Sequence, residues 1–138
     1  MTKLTYAKAI NSALKSAMSC DEKVICYGLG ADDPKGVFGT TLGLKELFGN
    51  ERVFDMPTSE NAMTGIGIGA SIGGYKTIIT HQRLDFALLS IDQIVNGAAK
   101  MHYMFNGEIN VPLTIRMIIG RGWGQGPTPV SYTHLTLP

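Results

Sequence analysis

The hydrophobic positions change period along the chain, and the changes predict helices alternating with strands. Thr5 is a suitable helix cap, and behind it Tyr6, Ile10, Ala13, Leu14 and Ala17 recur at helical spacing. Lys23 to Gly28 (KVICYG) reads as a short buried strand running into a Gly/Asp/Pro-rich loop, Gly28 to Gly39. Leu42 to Phe48 predicts a short helix ended by Gly49. Arg52 to Met56 predicts a second strand that stops at Pro57, and Glu60 to Ile72 a small-residue helix capped by Ser59. A third strand follows at Lys76 to Thr80, a long helix at Asp85 to Met104 and a fourth strand at Val111 to Ile119. Elements in this order predict an α/β fold of three layers, a mostly parallel sheet with helices on both faces.

The long helix carries more apolar surface than one core contact needs. Phe86, Leu89, Ile94, Ala98 and Met101 form one stripe, while Leu88, Ile91, Val95, Ala99, His102 and Tyr103 fill much of the remaining circumference. A helix apolar nearly all round is buried on more than one side, and here the extra face predicts a subunit interface.

Composition narrows the classes. Hydrophobic residues make up 44% and charged residues 17% of 138 residues, a globular balance with room for one domain. The net charge of +1, with no Lys/Arg cluster, gives no basis for a nucleic-acid partner. No apolar run reaches the roughly 20 residues of a membrane span, and Met1 to Ala9 lacks a signal core. The expectation is a soluble, cytoplasmic protein. Cys20 and Cys26 form no CxxC pair and are expected to be free, buried thiols.

Two motifs invite chemistry. Gly65, Gly67 and Ala70 satisfy a GxGxxA dinucleotide pattern, but that pattern needs a strand running into its glycines. Here they lie inside a predicted helix, so Gly65, Gly69, Ala70, Gly73 and Gly74 are expected to serve close backbone approach instead. Glu60 sits after a strand and at a helix start, the edge where parallel α/β sheets bind ligands. The bland reading of Glu60 is a first-turn acid favouring the helix dipole, worth about 0.3–1 kcal/mol. Asp32 and Asp33, in a Gly/Pro loop, are expected to be merely solvated.

Several blocks together resemble one family. Glu51 to Glu60 (ERVFDMPTSE), Gly65 to Gly74 (GIGIGASIGG), Ile91 to Lys100 (IDQIVNGAAK) with Tyr103-Met104, Val111-Pro112 and the Gly120 to Gly126 loop are similar to the beta subunits of pyruvate and branched-chain 2-oxo acid dehydrogenases. The resemblance runs from about residue 3 to residue 128 and implies a transketolase-like pyrimidine-binding domain. It implies thiamine diphosphate as cofactor, with Glu60 sharing a proton with the aminopyrimidine ring. The resulting imino tautomer removes the thiazolium proton, and the cofactor then acts as electron sink for decarboxylation. Phe86 is implied to pack against the pyrimidine and Gln82 to lie near it. The backbone carbonyl of Leu113 matches a position that binds structural potassium in some members. Magnesium and the diphosphate are implied to belong to a partner alpha subunit, in a heterotetramer of two alpha and two beta subunits. The implied reaction is oxidative decarboxylation of a 2-oxo acid, with acyl transfer to a lipoyl-bearing acyltransferase.

The chain departs from the family pattern in places. The stretch His81-Gln82-Arg83-Leu84 is more polar than the usual aromatic-rich one. Pro129-Val130-Ser131 stands where the family carries a His-Ser-Gln segment, so the active-site His of that segment is missing. Pro129 to Pro138 matches a translated sequencing adapter, which predicts a domain of residues 1–128, incomplete at its carboxyl end, and a foreign tail of 129–138. Such a fragment is expected to be inactive alone and to lack a strand, leaving an exposed sheet edge. The alternatives are a transketolase-like enzyme acting on a sugar phosphate and a non-catalytic assembly subunit.

Overall fold

The computed structural model describes residues 3–33 and 35–119; the expected boundary at 128 and the tail beyond it lie outside these residues. Helix α1 (Tyr6–Cys20) leads into β1 (Val24–Gly28), followed by α2 (Leu44–Phe48), β2 (Val53–Asp55), α3 (Glu60–Ile72) and β3 (Lys76–His81). A helical stretch over 84–104 and β4 (Leu113–Met117) complete the described fold. All four strands are parallel, in the order β2-β1-β3-β4. The chain steps from β1 to one side, then crosses back through α3 to β3 on the other. That reversal places a topological switch point between the carboxyl ends of β1 and β3.

Alternation along β1 explains why both faces are covered. Val24 and Cys26 join Leu14 and Met18 of α1, Leu44 of α2 and Val53 in one core. Ile25 and Tyr27 join Met63 of α3 and Ile79 of β3 in the other. Every residue of β1 is buried, as expected of a central parallel strand. The Tyr27 ring stacks on Phe54 at 5.3 Å, and its hydroxyl donates to the Met63 carbonyl at 2.9 Å, fixing α3 against the sheet. Arg52 holds the opposite layer. Its guanidinium donates to the carbonyls of Met18 at 2.7 Å, Asp21 at 2.8 Å and Val24 at 2.9 Å, tying the end of α1 to the sheet.

Local signals mostly act as the sequence suggests. Thr5 accepts from the Lys8 amide at 3.4 Å, and Gly49 ends α2 with φ 78°. Ser59 occupies the cap position of α3, but its side chain makes no capping hydrogen bond. The thiols are both free, yet only Cys26 is buried; Cys20, at the last turn of α1, is exposed. Burial pushes the Cys26 thiol up to about 11.

The long helix is less regular than its periodicity predicts. It consists of α4 (Leu84–Ala87), a 3₁₀ turn (Leu88–Ser90), a π-helical segment (Gln93–Ala98) and α5 (Ala99–Met104). These irregular turns pack on α3. They also rotate the apolar stripe: Leu89, expected on the inner face, is 62% exposed, whereas Ala87 and Ser90 are buried. Leu88, Ile91, Val95, Tyr103 and Met104 are exposed as well. The close approaches fall at Gly67 and Gly97, where a Cβ would meet Ile79 Cδ1 at 2.8 Å and Ile68 Cδ1 at 2.9 Å. Gly69, expected to be one, faces open space. Among the described residues no helix is long and apolar enough to cross a membrane.

Candidate functional site

Three chain segments meet at the carboxyl edge of the sheet near the switch point. Gly28 ends β1 with φ 143°, where any Cβ would collide with the Thr80 carbonyl, so only glycine lets β1 and β3 close here. Just beyond it, Asp55 at the end of β2 accepts from the amides of Gly30 at 2.9 Å, Ala31 at 2.6 Å and Asp32 at 3.2 Å. That carboxylate shapes the loop after β1. Asp32 is not merely solvated, as the sequence suggests, because it pairs with Lys45 at 2.8 Å, which holds its carboxyl below the usual range.

Glu60 is the first residue of α3 and is only 6% exposed. Its backbone carbonyl accepts from Ser90 Oγ at 2.7 Å and Thr64 Oγ1 at 3.0 Å, which ties the start of α3 to the helical stretch packed on it. Asn61 adds to this link through Gln93 Nε2 at 3.2 Å. The carboxylate itself has no hydrogen bond or ion pair among the described residues. A helix-dipole acid would stand in solvent. This one belongs to a residue only 6% exposed.

Period two places Thr77, Ile79 and His81 on the α3 side of β3, and His81 is 1% exposed with neither ring nitrogen hydrogen-bonded. Burial pushes its pKa below the ordinary value, while the Glu60 charge pulls it upward. In the sequence this histidine stands out only as part of a polar stretch. The signal that finds it is alternation, two residues past buried Ile79. Gln82, the residue expected near a ligand, is exposed beside it, and Phe86 is half-buried in α4. Leu113 opens β4 at the amino-terminal edge of the sheet, opposite the edge that holds Glu60.

The family model described as transketolase, pyrimidine binding domain, matches residues 2–137. The chain belongs to the transketolase pyrimidine-binding domain family. As in the expectation from its sequence, this pyrimidine-binding domain is similar to beta subunits of 2-oxo acid dehydrogenases. It is 41% identical over 123 residues to pyruvate dehydrogenase E1 component subunit beta-1, mitochondrial, of Arabidopsis thaliana, covering 89% of this chain and 34% of that protein. It is 39% identical over 122 residues to 2-oxoisovalerate dehydrogenase subunit beta of Bacillus subtilis, covering 88% and 37%. The beta subunit of the pyruvate dehydrogenase E1 component of Mycoplasma genitalium is 41% identical over 115 residues, covering 83% and 35%. The chain thus spans about a third of the length of the curated relatives it matches.

The edge fits a polar heterocycle. A buried imidazole with both nitrogens unpartnered bears a desolvation cost that a polar ligand would relieve. The nearby Glu60 carboxyl, in a residue 6% exposed, has no hydrogen bond or ion pair among the described residues. Among the described residues no group of three or more His, Cys, Asp or Glu side chains is placed to hold a metal ion.

Proposed function

We propose that this domain forms the pyrimidine half of a thiamine-diphosphate site in the E1 beta subunit of a 2-oxo acid dehydrogenase. The observation that carries the reading is Glu60 at the switch-point edge, a residue 6% exposed whose carboxyl has no hydrogen bond or ion pair among the described residues. Glu60 would hold one proton against the aminopyrimidine nitrogen, and its burial excludes the water that would otherwise compete for that bond. Phe86 would supply an apolar wall and Gln82 a rim contact. Thiamine diphosphate, when bound, supplies the electron sink for decarboxylating a 2-oxo acid. The diphosphate and magnesium are assigned to a partner alpha subunit, and the acyl group to a lipoyl-bearing acyltransferase. The Leu113 carbonyl lies at the opposite edge, so a potassium ion there would be structural. The exposed apolar side chains of the 84–104 stretch, Leu88, Leu89, Ile91 and Val95, supply a face for subunit assembly.

Replacing Glu60 with Gln keeps the size of the side chain and removes its transferable proton. In the intact protein assembled with its partner, turnover of a 2-oxo acid is expected to fall by about 10²-fold or more, the ordinary contribution of a positioned acid. Undiminished turnover would leave Glu60 a structural residue and the domain an assembly module. Turnover of a sugar phosphate in place of any 2-oxo acid would favour the transketolase-like alternative.

A further inference from the structure

The face of the sheet that carries Glu60 holds a second titratable group, for which the proposed function has no use so far. His81 ends β3 and is almost wholly buried, with both ring nitrogens unpartnered. A neutral imidazole offers one donor and one acceptor, and leaving both buried and unmade is destabilising. Phe or Leu would fill the same volume without that penalty, so packing alone does not account for a histidine.

Other polar side chains on this face are committed. The Tyr27 hydroxyl donates to Met63, and Ser90 and Thr64 donate to the Glu60 carbonyl. Thr77 Oγ1 lies 3.0 Å from Ser71 Oγ. The carboxyl of Glu60 and the imidazole of His81 are left without protein partners among the described residues. The groups around the imidazole can be named element by element. α3 contributes Glu60, and β4 contributes Met117, paired in register with His81. Arg116 pairs with Thr80 and therefore points to the opposite face, where it donates to Thr40 Oγ1 at 2.9 Å. Arg83 and Asp85 stand at the start of α4. Glu60 is the charged group that acts on the ring.

We propose that His81 is a positioning residue for Glu60: with the ligand bound, its neutral imidazole donates a hydrogen bond to one carboxyl oxygen while the other meets the ligand's ring nitrogen. The inference rests on the reading of Glu60 as the pyrimidine contact. His81 keeps its own N–H throughout, and the single proton in play moves only between Glu60 and the ring nitrogen. The histidine orients the carboxyl and keeps its second oxygen satisfied in a dry site. Protonating the ring replaces that arrangement with an ion pair, which draws Glu60 away from the ligand.

The test uses the intact protein assembled with its partner, with thiamine diphosphate and magnesium as probe. Calorimetric binding from pH 5.5 to 8 is compared for the parent, His81→Phe, His81→Gln and Glu60→Gln, and the imidazole Cε1 proton is followed by NMR. In the parent, affinity is expected to decline as pH falls below 6.5, and the imidazole resonance to move on saturation with the probe. His81→Phe is expected to bind roughly three- to tenfold more weakly at pH 7, the loss of one hydrogen bond. His81→Gln keeps a donor and should bind within about threefold of the parent, but with a flatter pH profile. If Glu60→Gln is impaired while His81→Phe matches the parent in affinity and pH profile, His81 is a spectator and only this inference fails. Unimpaired binding and turnover by Glu60→Gln would remove the reading of Glu60 itself. Should His81→Phe fail to fold, a resonance in the parent that the probe leaves unmoved overturns the proposal.

Discussion

At the scale of single residues, burial decides what each ionisable group can do. Glu60 and His81 stand at one edge as buried residues without protein partners for their side chains among the described residues. The ring nitrogens of His81 are shut off from water, whereas Asp32 pairs with Lys45. His81 also has a consequence for stability. Its folded pKa lies below the 6.5 of an exposed imidazole because burial disfavours the charged ring. As pH falls from 6.5 toward that lowered value, the unfolded chain binds the proton first, so stability declines over this window and is fully kept above it. The slope from one such group is at most about 1.4 kcal/mol per pH unit. Chemical denaturation at pH 7.5, 6.5 and 5.5 should therefore show a steeper acid loss in the parent than in His81→Gln. Equal slopes would mean that the ring titrates as though exposed.

At the scale of elements, glycine placement along α3 separates packing from mere helix dilution. Gly67 lies against the sheet, and a Cβ there would meet the Tyr27 hydroxyl at 2.5 Å and Ile79 Cδ1 at 2.8 Å. Gly67→Ala must push α3 off β1 and β3, or break the Tyr27 bond to Met63. It is expected to destabilise by about 1–3 kcal/mol. Gly69 faces open space in the same helix, so Gly69→Ala is expected to stabilise by about 0.5–1 kcal/mol through helix propensity alone. Thermal unfolding of the pair tests the orientation of α3. Two variants moving in the same direction would show that the helix is turned differently.

At the scale of the whole molecule, the described fold covers both faces of a four-stranded sheet but leaves a second apolar surface outside it. Leu88, Leu89, Ile91 and Val95 project from the helical stretch that already packs on α3. A surface of this kind is stabilised by association. Changing Leu89 to Arg together with Val95 to Glu should weaken assembly of the intact protein in sedimentation measurements. Its unfolding free energy should move by less than about 0.5 kcal/mol, as for ordinary surface positions. Unaltered assembly would turn attention to another face of the domain.

Much of the architecture was legible in local pattern. The pattern of apolar residues marked the four strands and the helices α1, α2 and α3, and Thr5 and Gly49 marked helix ends, because these signals act between near neighbours along the chain. The family blocks single out Glu60 at the level of sequence alone. What only tertiary packing decided was which groups lose water. The irregular turns of 84–104 moved Leu89 outward, Gly67 and Gly97 took tighter contacts than the expected Gly65, Gly69 faced open space, and Cys20 stayed exposed. The partnerless burial of His81 beside Glu60 likewise depends on β3, α3 and the helix above them meeting at one edge. Propensity and period are properties of a segment, whereas desolvation is a property of the whole packed chain.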